Sequence, residues 1–268
     1  MHPTNSANSL NGGADYHGRA VLQKELNFES ENEHQELHLA IAGREGYYLT
    51  KRMFDVMGAI CLLVLLFPLM LVIAMAIYIY SPGPIFYVQE RIGAKRLRVN
   101  DQTYWRREPF RFFKFRTMKV NADSSIHQKY VTALIENDQK SMAEVQGEET
   151  SVRKILKDPR LIRPGSWLRK YSLDELPQLL NVLRGDMSLI GPRPSIAYEV
   201  KVYKPWHFRR FGAQPGISGL QQVMARCNKD FDEQVNLDID YIEHQSLWLD
   251  IKIAIQTPFA IMSARGAY

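Results

Sequence analysis

The sequence predicts an α+β fold, mainly helical and held at one face of a membrane, from three observations. Val56 to Tyr80 form a run of 25 residues without a charge, long and apolar enough to enter a bilayer. Pro68 interrupts that run near its middle, and Lys and Arg flank both of its ends. Beyond it, one segment alternates with period two and later segments carry helical periodicity. The expected architecture is a monotopic protein with a re-entrant helix-break-helix, interfacial amphipathic helices and a short β element. Residues 1–50 read as a polar, acidic and partly disordered extension, 51–84 as the membrane segment, and 85–268 as a membrane-associated cytoplasmic domain.

Composition narrows the class. With 268 residues, 46% of them hydrophobic, and two cysteines, the chain can fill a core but cannot build a disulfide framework. Residues 1–50 hold 3 Lys or Arg against 7 Asp or Glu, and the remainder 31 against 22. The basic part is therefore expected to meet an anion: nucleic acid, lipid headgroups or phosphorylated metabolites. Within the extension, a short acidic helix is expected from Lys24 to Ala42. His34 and His38 lack a third metal ligand and read as solvated.

A helix over the apolar run would reach about 37 Å, against a hydrocarbon core of about 30 Å. Pro68 lacks an N–H and frees the carbonyl of Val64, so a kink is expected. Lys51 and Arg52 precede the run, and Arg91, Lys95, Arg96 and Arg98 follow it. Cations on both sides obey the positive-inside tendency only if both ends are cytoplasmic, which favours a hairpin over a single kinked span.

Ile85–Val88 and Phe110–Met118 read as short strands. In the second, Phe113 and Phe115 face one side while Lys114 and Arg116 face the other. Residues 119–157 read as a mobile, partly helical surface excursion, with helical pattern at Tyr130–Ile135 and Val152–Leu156. The WHFRRF run at Trp206–Phe211 suits an interfacial helix whose Arg209 and Arg210 meet lipid phosphate. Helices are predicted over Phe231–His244 and Leu247–Met262, the latter bent near Pro258.

The chemistry concentrates in Asp158–Pro194, where Arg160, Arg163, Arg169, Lys170, Arg184 and Arg193 surround Asp174 and Glu175. Acids among cations suit phosphate chemistry: the cations neutralise phosphoryl oxygens, and a carboxylate serves as nucleophile, base or magnesium ligand. Ser172 to Glu175 also matches a helix-capping box, a structural alternative for Glu175 but not for Asp174. In Gly191-Pro192-Arg193-Pro194 two prolines rigidify the backbone around Arg193. That arrangement serves phosphate binding or a salt-bridged turn equally well.

Several ordered motifs together resemble the bacterial sugar transferases, small monotopic phosphoglycosyl transferases acting on polyprenyl phosphate. They are K-R-x-F-D-V-x-G at Lys51–Gly58, K-F-R-T-M at Lys114–Met118, S-L-D-E-L-P-Q at Ser172–Gln178, G-D-M-S-L-I-G-P-R-P at Gly185–Pro194 and P-G-I-S-G-L at Pro215–Leu220. The resemblance covers roughly residues 50 to 268. It implies a catalytic domain at the cytoplasmic face of the bacterial inner membrane, a UDP-sugar donor, a polyprenyl (undecaprenyl) phosphate acceptor and Mg2+ as cofactor. By the same resemblance Asp174 is the nucleophile and a magnesium contact, Glu175 assists it, and Arg193 binds phosphate. Lys114, Arg116 and Arg169 are further phosphate-binding candidates by position and charge. The segments Ala94–Glu108 and 119–157 are longer than the minimal family pattern, and residues 1–50 have no family assignment.

The rival from another class is a membrane-tethered, non-catalytic scaffold binding anionic lipid or nucleic acid. It explains the basic balance but not the clustered acids and Arg193. A membrane-anchored phosphohydrolase would use the same residue types with water as acceptor. No recognised nucleic-acid module is present, so nucleic acid is not an expected partner, whereas membrane lipid is. Homo-oligomerisation is compatible with the sequence, and nothing in it identifies the sugar.

Overall fold

The computed structural model describes residues 37–39, 44–99, 102–123, 125–146, 160–224 and 230–262. Leu37–Leu39 (β1) pair antiparallel with Tyr104–Arg106 of a later strand. The described part of the expected acidic helix is thus a strand, because it meets a sheet edge with unpaired backbone groups. The rest of that helix, with His34, lies outside the described residues.

The helix Glu45–Tyr80 (α1) contains the whole uncharged run and stays helical through Pro68. A proline removes one helical hydrogen bond and bends the axis without obliging the helix to end. Around the proline, Leu62, Val64, Leu65, Phe67, Leu71 and Val72 are exposed. Both ends are tied to the body of the protein. At the first end Lys51 Nζ lies 3.0 Å from Asp250 Oδ2, and Arg52 donates to the carbonyls of Val182 and Leu183 at 2.6 and 3.1 Å. Asp55 Oδ1 accepts from Ser188 Oγ and the Leu189 amide. At the second end Arg116 donates to the carbonyls of Ser81 and Pro82. The K-R-x-F-D motif is thus a set of docking contacts, with Ala59 packing one turn further along against Phe112, Leu179, Val182 and Met187. Ile73 and Ile77 pack against Phe115, Ile162 and Leu168.

The β element is longer than expected. Phe86–Val99 (β2) and Gln102–Phe115 (β3) form an antiparallel hairpin in continuous register from Phe86↔Phe115 to Val99↔Gln102. The extended segment Ala94–Glu108 is its distal half. Charged residues on both faces hide the alternation there. Trp105, Phe112 and Phe115 are buried.

Residues 119–157 are not a surface excursion where described. Ser125–Glu136 (α2) and Gln139–Gln146 (α3) bury Tyr130, Val131, Ala133, Ile135 and Met142 in the largest core cluster, together with Trp105, Tyr203, Phe211, Phe231 and Val235. Val152–Leu156 lie outside the described residues. Gly165–Lys170 (α4), a single 3₁₀ turn at Leu173–Glu175, and Gln178–Arg184 (α5) follow. Asn181, fully buried on α5, accepts from the Phe113 amide and donates to the Arg111 carbonyl. A side chain thereby completes the edge of β3.

Ser188–Ile190 (β4) pairs parallel with Gly216–Ser218 (β6), and Ser195–Ile196 (β5) adds to the edge of β2. Ala197–Val200 (α6) leads to a 3₁₀ helix at Pro205–Phe211, the predicted interfacial WHFRRF segment. It turns inward: His207, Arg210 and Phe211 are buried. Arg210 meets a carboxylate, not lipid, donating to Asp238 Oδ2 at 2.5 Å and to the Tyr203 hydroxyl at 2.8 Å. Leu220–Met224 (α7) precedes the two predicted helices, found at Phe231–Glu243 (α8) and Leu247–Met262 (α9), with Pro258 inside the latter.

Candidate active site

Four stretches converge on Asp174: the end of β3 with Lys114, α4 with Arg169, the 3₁₀ turn itself, and the loop from Gly191 to Pro194. The turn is entered through Ser172, which sits in the left-handed region at φ 52°, a conformation that costs a non-glycine residue energy and is concentrated at functional sites. The Ser172 side chain makes no capping bond. Only its carbonyl accepts, from the Glu175 amide at 3.2 Å. The capping box is not formed, so Glu175 has no structural duty there.

Asp174 is buried and Glu175 half-buried, so the two acids diverge as neighbouring positions of a tight helix must. Burial, and then the Glu175 carboxylate, push the Asp174 carboxyl above the ordinary range, against the opposing pull of Lys114 and Arg169. Lys114 is pushed down to about 8, chiefly by burial, with Arg169 and Arg91 acting in the same direction and Asp174 opposing. Its ammonium lies 5.2 Å from the centre of the Tyr87 ring. Arg169 Nε donates to Thr117 Oγ1 at 3.0 Å, which orients the guanidinium.

Arg193 meets the second acid, its Nη1 3.9 Å from Glu175 Oε1 and its side chain half exposed. Its loop is tied down throughout. Gly191 donates to the Ser218 carbonyl and Gly216 to that of Pro192, each at 2.8 Å. The Arg193 and Pro194 carbonyls accept from Arg210 and Arg91 at 3.4 and 3.2 Å. A Cβ on Gly191 would lie 2.3 Å from the Gln214 carbonyl oxygen, so only glycine lets the two backbones approach.

Arg116 does not join this group. It is buried, and its guanidinium serves the end of α1. It leaves the face of Lys114 because β3 ends at Phe115, and the period-two rule ends with the strand.

Residues that motif reading did not single out complete the pocket. Arg91, Gln178 and Gln222 line a small cavity with Glu175 and Arg193. Gln178 Nε2 and Gln222 Oε1 are buried polar atoms without partners, the condition of groups that await a polar ligand. From α2, His127 Nδ1 lies 2.5 Å from the Tyr198 hydroxyl. Burial, then Arg91, Arg160, Lys114 and Arg169, push its imidazole down to about 4, so it is neutral among the site's cations. Only Gln178 had a sequence signal, being the last residue of S-L-D-E-L-P-Q.

No group of three or more His, Cys, Asp or Glu suited to a metal occurs among the described residues. Two adjacent carboxylates, one of them buried and held up by its neighbour, nevertheless suit magnesium. That ion takes one or two protein carboxylates and fills its remaining positions with water and substrate phosphate.

Residues 46–264 match the profile of the family described as bacterial sugar transferase. The chain belongs to that family. This sugar transferase is 37% identical over 220 residues to the exopolysaccharide production protein ExoY of Sinorhizobium fredii, covering 82% of this chain and 88% of the relative. It is 37% identical over 228 residues to a UDP-glucose:undecaprenyl-phosphate glucose-1-phosphate transferase of Caulobacter vibrioides, covering 82% and 72%. To an undecaprenyl-phosphate galactose phosphotransferase of Salmonella typhimurium it is 35% identical over 233 residues, covering 85% of this chain and 43% of that one.

Proposed function

We propose that this transferase moves a sugar 1-phosphate from a UDP-sugar to polyprenyl (undecaprenyl) phosphate, giving polyprenyl-diphosphate sugar and UMP. The observation that carries the reading is a buried Asp174 beside Glu175, faced by Lys114, Arg169 and Arg193. An Asp174 oxygen attacks the sugar-bearing phosphorus. The bond from that phosphorus to the bridging oxygen breaks, and UMP leaves with the electron pair. An oxygen of polyprenyl phosphate then attacks the same phosphorus and regenerates the carboxylate. Lys114, Arg169 and Arg193 offset the charge of the diphosphate, and Gln178 Nε2 is placed to donate to one of its oxygens. Glu175 keeps the carboxylate pair electron-rich and handles charge as UMP departs. Magnesium would be held by Asp174 and would supply charge neutralisation on the diphosphate.

A panel of UDP-sugars assayed for UMP release, with and without polyprenyl phosphate and with magnesium or a chelator, tests the reaction. Release and lipid-linked product are expected for one or a few sugars and only with the metal. Free sugar phosphate formed without lipid would make the protein a hydrolase, and no release from any donor would leave the scaffold.

The pH dependence is specific. Lys114 must be charged to hold phosphate, and below its ordinary value, near 8, it loses the proton in the free enzyme. The kcat/KM for donor should therefore fall as pH rises through about 8. Lys114→Arg should carry that alkaline limb upward by two units or more, since arginine stays charged. An unmoved limb would dissociate Lys114 from donor binding.

α1 is assigned as a re-entrant anchor in the cytoplasmic leaflet of the bacterial inner membrane. Both of its ends are held by one body, the exposed apolar stretch lies between them, and Pro68 is centred in it. In a background without Cys61 and Cys227, a cysteine placed in residues 1–50 should resist a membrane-impermeant thiol reagent in intact cells. Ready labelling would make α1 a span.

A further inference from the structure

A second cavity, of about 220 Å³, shares no lining residue with the catalytic one. Tyr48, Lys51, Arg52 and Asp55 line it from α1, Lys95, Arg96 and Trp105 from the distal hairpin, and Gln245 from the turn before α9. Four cations therefore face one acid. The Asp55 oxygen Oδ1 is already taken by Ser188 and Leu189. Lys51 is paired with Asp250, but Arg52 meets no carboxylate and bonds to the carbonyls of the last turn of α5, whose partial charge offsets only part of its own. Lys95 and Arg96 are exposed at the rim; Arg96 Nη1 lies 3.5 Å from Glu45 Oε2 and its guanidinium 4.9 Å over the Tyr48 ring, whereas Lys95 has no carboxylate beside it among the described residues.

Deeper in, the Trp105 N–H is directed at the Tyr48 hydroxyl, whose ring it meets edge-on, while Gln245 Nε2, on a side chain more than nine-tenths buried, has no hydrogen-bond partner. A buried donor left unmade is costly, and such a donor beneath a ring of cations describes a receptor for an anion. The level of the cavity supplies the rest. Its α1 residues occupy the two turns immediately before the uncharged run begins at Val56. If that run enters the bilayer, the cavity lies where lipid phosphates lie.

We propose that this cavity is a phosphate-binding site that seats the headgroup of an anionic phospholipid, apart from the catalytic pocket. The idea rests on the membrane reading of α1 but not on the transfer chemistry.

The test is native mass spectrometry of the full chain in neutral detergent, titrated with phosphatidylglycerol, with phosphatidylcholine and with inorganic phosphate as competitor. One phosphatidylglycerol should be retained in preference to phosphatidylcholine. Retention should fall about tenfold in Lys95→Glu, which reverses a rim charge, and in Gln245→Leu, which removes a donor. Gln245→Leu deletes an unsatisfied buried group, so its melting temperature should not drop, and both variants should keep UMP release within about twofold of the parent because neither residue faces the catalytic cavity. Inorganic phosphate displacing the lipid at equal concentration would uphold the phosphate site and overturn the lipid as its occupant. Retention unchanged in both variants, or no preference between the lipids, would overturn the site.

Discussion

Asp174→Asn is expected to lower UMP release by about 10³-fold or more, because an amide oxygen cannot form the covalent phosphosugar adduct. The same variant should melt no lower than the parent. Burial and Glu175 already push the Asp174 carboxyl upward, which means that the folded state disfavours its charge, and an isosteric neutral side chain relieves that penalty. Losing the reaction while keeping or gaining stability is the pattern expected when a charge is held in place for chemistry. The sign of the linkage gives a second check. A carboxyl raised in the folded protein binds more protons there than in the unfolded chain. Parental stability should therefore decline as pH rises from the ordinary carboxylate value through the raised one, and in Asp174→Asn that component should vanish. Radiolabelled donor should mark the parent at Asp174 and leave the variant unlabelled. Near-normal turnover in the variant would remove the carboxylate nucleophile from the mechanism.

Arg210→Met should destabilise the protein by about 3–5 kcal/mol, since it leaves the buried Asp238 carboxylate without its cation and with the Arg193 amide as a neutral donor. The Asp238 side chain is 1% exposed and that of Arg210 is 6% exposed, so water cannot substitute. Adding Asp238→Leu should recover most of the stability, because removing both charges removes the desolvation cost with them. Activity should not return in step. Arg210 also donates to the Arg193 carbonyl, so the double variant keeps a folded core but loosens the loop that presents Arg193. A raised KM for donor with recovered melting would separate the two roles. Full recovery of KM would show that the prolines alone hold the loop.

Much of the candidate site was legible in the sequence. Asp174, Glu175, Lys114 and Arg193 stand in local motifs whose residue types suit phosphate, Arg169 lies close before one of them, and the structure brings all five together. Arg116 was not legible as a helix anchor, because strand alternation assigns a face only while the strand lasts. The segment around Tyr130 misled for a different reason. Its charge density suggests solvent, and only the packing of α2 shows that the sparse apolar residues share one buried face. Arg210 misled in the same way: aromatics interleaved with arginine describe a membrane surface or a core ion pair equally well until Asp238, 28 positions away, is placed beside it.

The sequence by itself determined the family, the uncharged apolar run with its proline, and the acid-and-cation set of the candidate site, because each is written in residues close together along the chain. Only the tertiary structure decided that His127, Gln222 and Arg91 join that set, that the Lys51–Asp55 motif docks α1, and that a second cationic cavity exists. Those features depend on side chains far apart in sequence, and burial, charge compensation and unmet hydrogen bonds have no value until folding sets their neighbours.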